Sequence, residues 1–204
     1  MIEINIEQGS QEWLKLRLGK ITGTRVKNIF KSDNLTLIDE IIAEIVSEEI
    51  EENYVNSAMQ RGKDLEPIVR QIYQKVKGIE IQEIGFCMSD ESDFLGLSPD
   101  GYTIDRVGGI EIKCPSTKTH VKYIRQNKIP SEYICQVYTN FIVNKKLEWL
   151  DFISYDDRFK SRPMWIKRVH RTEILAELSM TEIGIKDFEK KILKFYKQIT
   201  SDEI

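Results

Sequence analysis

Residues 98–115 read SPDGYTIDRVGGIEIKCP and place Asp100 directly after Pro99, then Glu111 and Lys113 between Ile110, Ile112 and Cys114. Side chains alternate across a strand, so Glu111 and Lys113 share one surface while Ile110, Ile112 and Cys114 face the other, the expected core side. The segment RVGG reads as a tight turn that folds the Asp100 strand back beside Glu111. Two carboxylates and an ammonium then converge. Converging carboxylates repel and raise each other's pKa unless a cation lies between them. An all-oxygen set of this kind suits a hard ion such as magnesium or manganese. A charged lysine has no lone pair to ligate with; its place is to orient or deprotonate a water, or to offset charge building on a phosphate. Glu-x-Lys alone is a common exposed cross-strand pair. Pro-Asp about ten residues upstream shifts the balance toward chemistry.

The elements that must hold these groups can be read around them. Ser10 is placed to cap a short helix through QEWLKLRL, with Trp13 and Arg17 one turn apart on one side. ITGTRVKNIF reads as a turn entering a second helix. Ile38, Ile41, Ile42, Ile45, Val46 and Ile50 mark a third helix with one inward stripe. RGKDLEPIVRQIYQKVKG reads as a helix start and helix, with Pro67 in the first turn. Strands follow in EIGFCM, FLGLS, GYTID and GIEIKCP; then come a helix in SEYICQVYTNFIV and a strand pair in EWLDFISYD and MWIKRVHR. Ile174, Leu178, Ile185, Phe188, Ile192, Phe195 and Ile199 form a heptad-like seam, fit to pack on the domain's own sheet or, alternatively, to join subunits. The pattern predicts a mixed sheet flanked by helices, α/β or α+β, in one domain spanning residues 1–204.

Charge and composition narrow the class. The chain is 204 residues long with a formal net charge of -3, which argues mildly against indiscriminate nucleic-acid binding. The average hides two acid-free basic runs: Lys113, Lys118, Lys122, Arg125 and Lys128, and then Arg158, Lys160, Arg162, Lys167, Arg168 and Arg171. SEEIEEN is the acidic counterpart. Such polarity suits a phosphate backbone on one face, although a basic run is more often a solvated surface. No apolar run is long enough to span a bilayer, and MIEINIEQGSQ lacks a signal peptide's regions. Cys87, Cys114 and Cys135 are too scattered for a disulfide framework or zinc ribbon and read as reduced core thiols in a cytoplasmic protein.

With these residues in view, the chain resembles the PD-(D/E)xK nucleases, and within them the lambda-exonuclease-like and YqaJ-type viral recombinases. The likeness runs from EQGSQEWLKLRLGKITGTRV through RGKDLE, SPDG and EIKCP to YICQVY, in family order. The resemblance implies that Asp100, Glu111 and the Ile112 carbonyl hold metal, with Glu66 joining directly or through water. It makes Lys113 the catalytic lysine and puts Gln136 at the edge of the site, with Tyr133 one turn away on the same helix face. RGK replaces the aromatic start of the family's segment before Glu66, a departure expected to touch the chemistry little. A 5′-phosphate pocket is implied by LRLGKITGT: Arg17 as charged fork, Thr22 and Thr24 as hydroxyl donors, Ser98 as a further contact. Without that context either threonine reads equally well as a plain helix cap. Trp13 reads as a core or rim aromatic before a stacking platform.

The activity so implied is a magnesium-dependent 5′→3′ exonuclease on double-stranded DNA ends, with two ions (manganese as substitute), releasing mononucleotides and leaving 3′ overhangs. A ring-shaped homotrimer, a phage single-strand annealing protein as partner, and the cytoplasm of a bacterial host carrying phage or prophage follow from the same likeness. Rival readings are a restriction-type endonuclease or resolvase of the same superfamily, a non-catalytic DNA-end binding module, and a structural metal-binding domain. Three scattered cysteines disfavour the iron–sulfur exonucleases, which need four thiolates.

Overall fold

The computed structural model describes residues 1–49 and 56–201. Ile50 of the expected stripe and residues 51–53 of the acidic run lie outside them. Strand β1 (Ile2–Ile4) precedes helix α1 (Gln11–Arg17), whose first turn is closed by Ser10 accepting from the Trp13 amide at 3.1 Å. A short strand β2 (Ile21–Thr22) and helix α2 (Val26–Ile29) lead to α3 (Leu35–Ser47). There Leu37, Ile38, Ile41 and Ile42 are buried, whereas Val46, expected in the stripe, is exposed.

Helix α4 (Ser57–Lys77) begins well before the expected start, so Pro67 lies inside it and not in its first turn. Asn56 accounts for the early start: its side chain accepts from the Met59 amide at 2.9 Å. Val69 and Tyr73, both fully buried, anchor the half that follows the proline. Gly78, at φ 66°, closes the helix in the left-handed conformation.

Strands β3 (Ile81–Gln82), β4 (Phe86–Met88), β5 (Leu95–Leu97), β6 (Gly101–Thr103) and β7 (Gly108–Lys113) come next. Helices α5 (Thr117–Gln126) and α6 (Ser131–Val143), strands β8 (Trp149–Tyr155) and β9 (Met164–His170), and the long α7 (Leu175–Thr200) complete the order. Sequence reasoning missed α5, where only His120 and Tyr123 are buried among basic and polar residues.

The strands form two sheets where one was expected: β1-β4-β5-β2, and β3-β6-β7-β8-β9. In the second, β7 is interior, antiparallel to β6 and parallel to β8. A parallel neighbour demands a crossover, and α5 with α6 supplies it. The RVGG segment turns differently from expectation. Arg106 takes the left-handed conformation at φ 64°, while Gly108 and Gly109 belong to β7. Those glycines make room: a Cβ on Gly108 would stand 2.1 Å from the Trp149 ring.

Both faces of the five-stranded sheet are covered. Val69 and Tyr73 of α4 share one core with Ile110, Ile112 and Ile153. Leu150 and Phe152 share the other with Tyr123 of α5 and with Val137 and Phe141 of α6. The buried seam of α7, Leu178, Ile185, Phe188 and Ile192, packs mainly on α6, α3 and α2, in the same core cluster as Leu95 and Leu97 of β5. No helix among the described residues is long and apolar enough to cross a membrane.

Candidate active site

The site forms at the carboxyl end of β7. Pro99 has no amide to offer the ladder, and the β6–β7 pairing stops at Gly101 opposite Ile110. Asp100 instead uses its side chain: Oδ2 accepts the Ile112 amide hydrogen at 2.6 Å. Glu111 and Lys113 share a face, with Lys113 Nζ 2.5 Å from Glu111 Oε1. That face is not open as a half-buried hairpin would leave it. Glu111 is only 1% exposed, because α6 lies over it and Asn140 Nδ2 reaches Oε2 at 3.5 Å.

Glu66, on α4, approaches from the other side of the sheet. Arg70, one turn on, donates to Glu66 Oε1 at 2.9 Å and to the main-chain oxygen of Asp100 at 2.8 Å. Among the described residues, no three histidine, cysteine, aspartate or glutamate side chains close on one point as a ready metal cage. The arrangement is a buried pair, Asp100 and Glu111, with Glu66 held to Arg70.

Electrostatics tie these groups together. Burial pushes the Glu66 carboxyl up to about 7, and the charge of Asp100 adds to the push against Arg70 and Lys113. Burial and then Asp100 raise Glu111 to about 7 as well, against Lys113 and Asn140. Asp100 is raised by burial, with Lys113 and the Ile112 amide opposing. For Lys113, burial disfavours the charge, yet Glu111 and Asp100 more than offset it and hold its pKa above the ordinary value. Burial is thus the leading cause at all three carboxyls, and the neighbouring cations offset it only in part.

Of the two residues singled out on α6, Tyr133 stands beside Lys113. Lys113 Nζ stands 5.2 Å from the Tyr133 ring centroid. Gln136 packs toward the loop after β2, where a Cβ on Gly23 would be 3.4 Å from its Cγ. Flanking Gly23, Thr22 is buried and Thr24 exposed, with their hydroxyls 3.2 Å apart. Neither caps α2, which starts from Arg25 with no side-chain cap. Arg17 lies over Trp13 at 4.2 Å, and the Trp13 indole donates to Ser98 Oγ at 2.7 Å. Ser98 and α1 are thereby joined two residues before Asp100, and Trp13 has the rim role. Burial, and next the charge of Arg25, lower the Arg17 pKa to about 10.

A family model described as the YqaJ-like viral recombinase domain matches residues 12–146. The chain belongs to that family. The structure of an alkaline exonuclease, LHK-Exo from Laribacter hongkongensis, is similar at TM-score 0.80 and 32% identity, covering 93% of this chain and 98% of that one. LHK-Exo in complex with dAMP matches at TM-score 0.78 and 32% identity, covering 93% and 97%. A phage related exonuclease from Haemophilus somnus 129PT shares the fold at TM-score 0.57 and 13% identity, over 88% of this chain and 94% of that one. No curated protein matches the chain. Family and neighbours together support a nuclease.

This YqaJ-like domain also uses residues that sequence reasoning passed over. Arg70 and Asn140 each lie four positions beyond a residue that was singled out, Glu66 and Gln136, and that helical spacing was the available signal. Arg61, of the RGK segment, donates to the Cys114 carbonyl at 3.1 Å and to Asp156 at 2.9 Å. The departure at RGK thus bears directly on the exit of β7. Asp156, fully buried, also accepts from Thr117 and Arg158 at 2.5 and 2.6 Å. The three cysteines are free. Burial pushes Cys114, next to Lys113, up to about 11, which favours the thiol form there.

Proposed function

We propose that this YqaJ-like domain is a divalent-metal-dependent exonuclease that digests the 5′-ended strand of linear duplex DNA to mononucleotides, leaving 3′ overhangs for recombination by strand annealing. One observation carries the reading: Asp100, Glu111 and Lys113 meet at the end of one interior strand, buried and electrostatically interdependent. The donors Asp100, Glu111 and the Ile112 carbonyl, with Glu66 alongside, are all oxygen, which fits magnesium or manganese. When bound, such ions would supply Lewis-acid polarisation of the scissile phosphate.

The chain's own groups have distinct tasks in this reading. Lys113 is held charged by Glu111 and Asp100, which favours a donor to the developing phosphoryl charge over a general base. Asn140 and the Ile112 amide orient the two carboxylates. Tyr133 and Gln136 border the position a nucleotide takes. Arg17, raised over Trp13 and repelled by Arg25, gains from an anion; with Thr22, Thr24 and Ser98 it would receive the 5′-phosphate. The dAMP bound by LHK-Exo, at 32% identity, supports a product of one nucleotide. A homotrimeric ring, a single-strand annealing partner and action in a bacterial host's cytoplasm complete the proposal on family likeness.

End-labelled duplex with and without a 5′-phosphate, incubated with magnesium or with chelator, tests it. Magnesium-dependent release of labelled mononucleotide, faster from the phosphorylated end, is expected. Nicking or linearisation of covalently closed circles would instead establish internal cutting.

A further inference from the structure

The two basic runs have different fates. In the second, Arg158 is held by Asp156, Arg168 by Asp151 at 2.7 Å, and Arg171 by the main-chain oxygens of Leu147, Phe141 and Asn144. These three charges serve the fold, whereas Lys160 and Arg162 of the same run are exposed and make no ion pair among the described residues. In the first run, Lys113 is taken by Glu111, whereas Lys118, Lys122 and Arg125 are exposed and make no ion pair among the described residues. They stand at i, i+4 and i+7 of α5, so they share one stripe. His120 and Tyr123 occupy the opposite side, where they are buried.

We propose that this stripe is a second DNA contact, separate from the catalytic pocket, that grips backbone phosphates of the duplex beside the cleaved end. The inference rests on the nuclease reading above and adds the surface along which the duplex lies. Three features select duplex phosphate as the occupant. The stripe is acid-free in a chain whose net charge is -3, so its sign is local and not compositional. It is rigidly mounted. Ser116 caps α5, His120 Nδ1 lies 2.7 Å from Ser154 Oγ, and His120 Nε2 lies 3.0 Å from the Arg162 carbonyl oxygen. Its scale also matches: from Lys118 to Arg125 the helix advances about 10 Å, the rise of about three base pairs.

Position supports the same occupant. α5 continues directly from the catalytic strand, and Lys118 is five positions beyond Lys113. The chain between them can span no more than about 18 Å. A duplex with its end at Lys113 would therefore have the stripe within reach of its first few base pairs. Phosphate contacts of this kind fix register without reading sequence.

The test compares wild type with Lys118→Gln/Lys122→Gln/Arg125→Gln, using fluorescence anisotropy of blunt linear duplex in chelator from 50 to 200 mM salt. Each lost phosphate contact lowers the slope of log affinity against log salt by about 0.9, so the triple variant's slope should be shallower by about 2.7. Over that salt range this is about a 40-fold smaller loss of affinity. In digestion, KM for duplex should rise while kcat stays within about twofold. Lys122→Gln alone, the milder change, should remove about one third of the slope difference. A matching triple on α7, Lys190→Gln/Lys194→Gln/Lys197→Gln, should leave the slope unchanged and so separate local contact from net charge.

A wild-type slope in the α5 triple variant overturns this inference alone, provided wild type digests duplex ends. A wild type that binds duplex with the expected slope difference but never cleaves it overturns the nuclease reading and leaves α5 as a DNA surface.

Discussion

Asp100 Oδ2 and the Ile112 amide are joined by a 2.6 Å hydrogen bond, so one site carboxylate is tied to the main chain midway between Glu111 and Lys113. The bond needs an acceptor and not a charge. Asp100→Asn can keep it through its side-chain oxygen, and neutrality relieves a group whose pKa burial already raises. Thermal stability in chelator should hold or increase, while kcat falls by about 100-fold or more. Asp100→Ala should lose the same activity and also about 1–3 kcal/mol of stability, because the Ile112 amide loses its partner. Paired thermal melts and single-turnover digestion check both.

Metal-free protein should lose stability as pH rises from mildly acid to neutral. Glu66 and Glu111 are raised from 4.5 to about 7, so the folded state binds more protons than the unfolded state between those values. Their contribution is complete below pH 4.5 and is lost as pH passes about 7. Each kcal/mol lost lowers the midpoint by roughly 2–4 °C in a chain of this size. Magnesium, which binds the ionised carboxylates, should flatten the decline. Melting curves from pH 5 to 8 in chelator and in magnesium measure it; parallel curves would count against a metal at these carboxylates.

Arg17 should separate discrimination from folding. Its guanidinium is half-buried, lies on Trp13 and is disfavoured by Arg25. Arg17→Met keeps apolar contact with the ring and removes the repulsion. Stability should stay within about 0.5 kcal/mol of wild type, as for an ordinary peripheral substitution. The preference for a 5′-phosphorylated end over a hydroxyl end should disappear.

Arg61 and Asp156 clamp the segment that leaves Lys113, since Arg61 binds the Cys114 carbonyl and Asp156 binds Thr117. Arg61→Leu should lower kcat by roughly tenfold, in line with misplacement of a catalytic group, and leave KM for duplex nearly unchanged. Arg61→Lys should restore part of the rate. A purely structural role would move the melting midpoint without that split between kcat and KM.

The chemistry was more legible than its setting. Strand alternation and the Pro-Asp to Glu-x-Lys spacing brought Asp100, Glu111 and Lys113 together, because a short hairpin fixes its own register. Local signals could not say what lay over that hairpin: Glu111 is buried because α6, distant in sequence, covers it. Helix α5 went unseen since its buried residues are His120 and Tyr123, with Ile124 only partly buried beside them. Pro67 read as a helix start, whereas Asn56 caps the helix far upstream. Gly108 and Gly109 read as turn residues, yet they answer to the rings of Trp149 and Tyr102, which no neighbouring residue reveals. Arg168 and Arg171 looked like part of a basic surface until the fold supplied Asp151 and a set of carbonyls.

Because the Ile112 proton ends on a carboxylate oxygen, its chemical environment changes whenever that oxygen gains a proton or shares its electrons with an ion. A single backbone resonance in a nitrogen-correlated NMR spectrum is thus a built-in reporter of the loading state of the centre, readable without substrate and without altering any side chain.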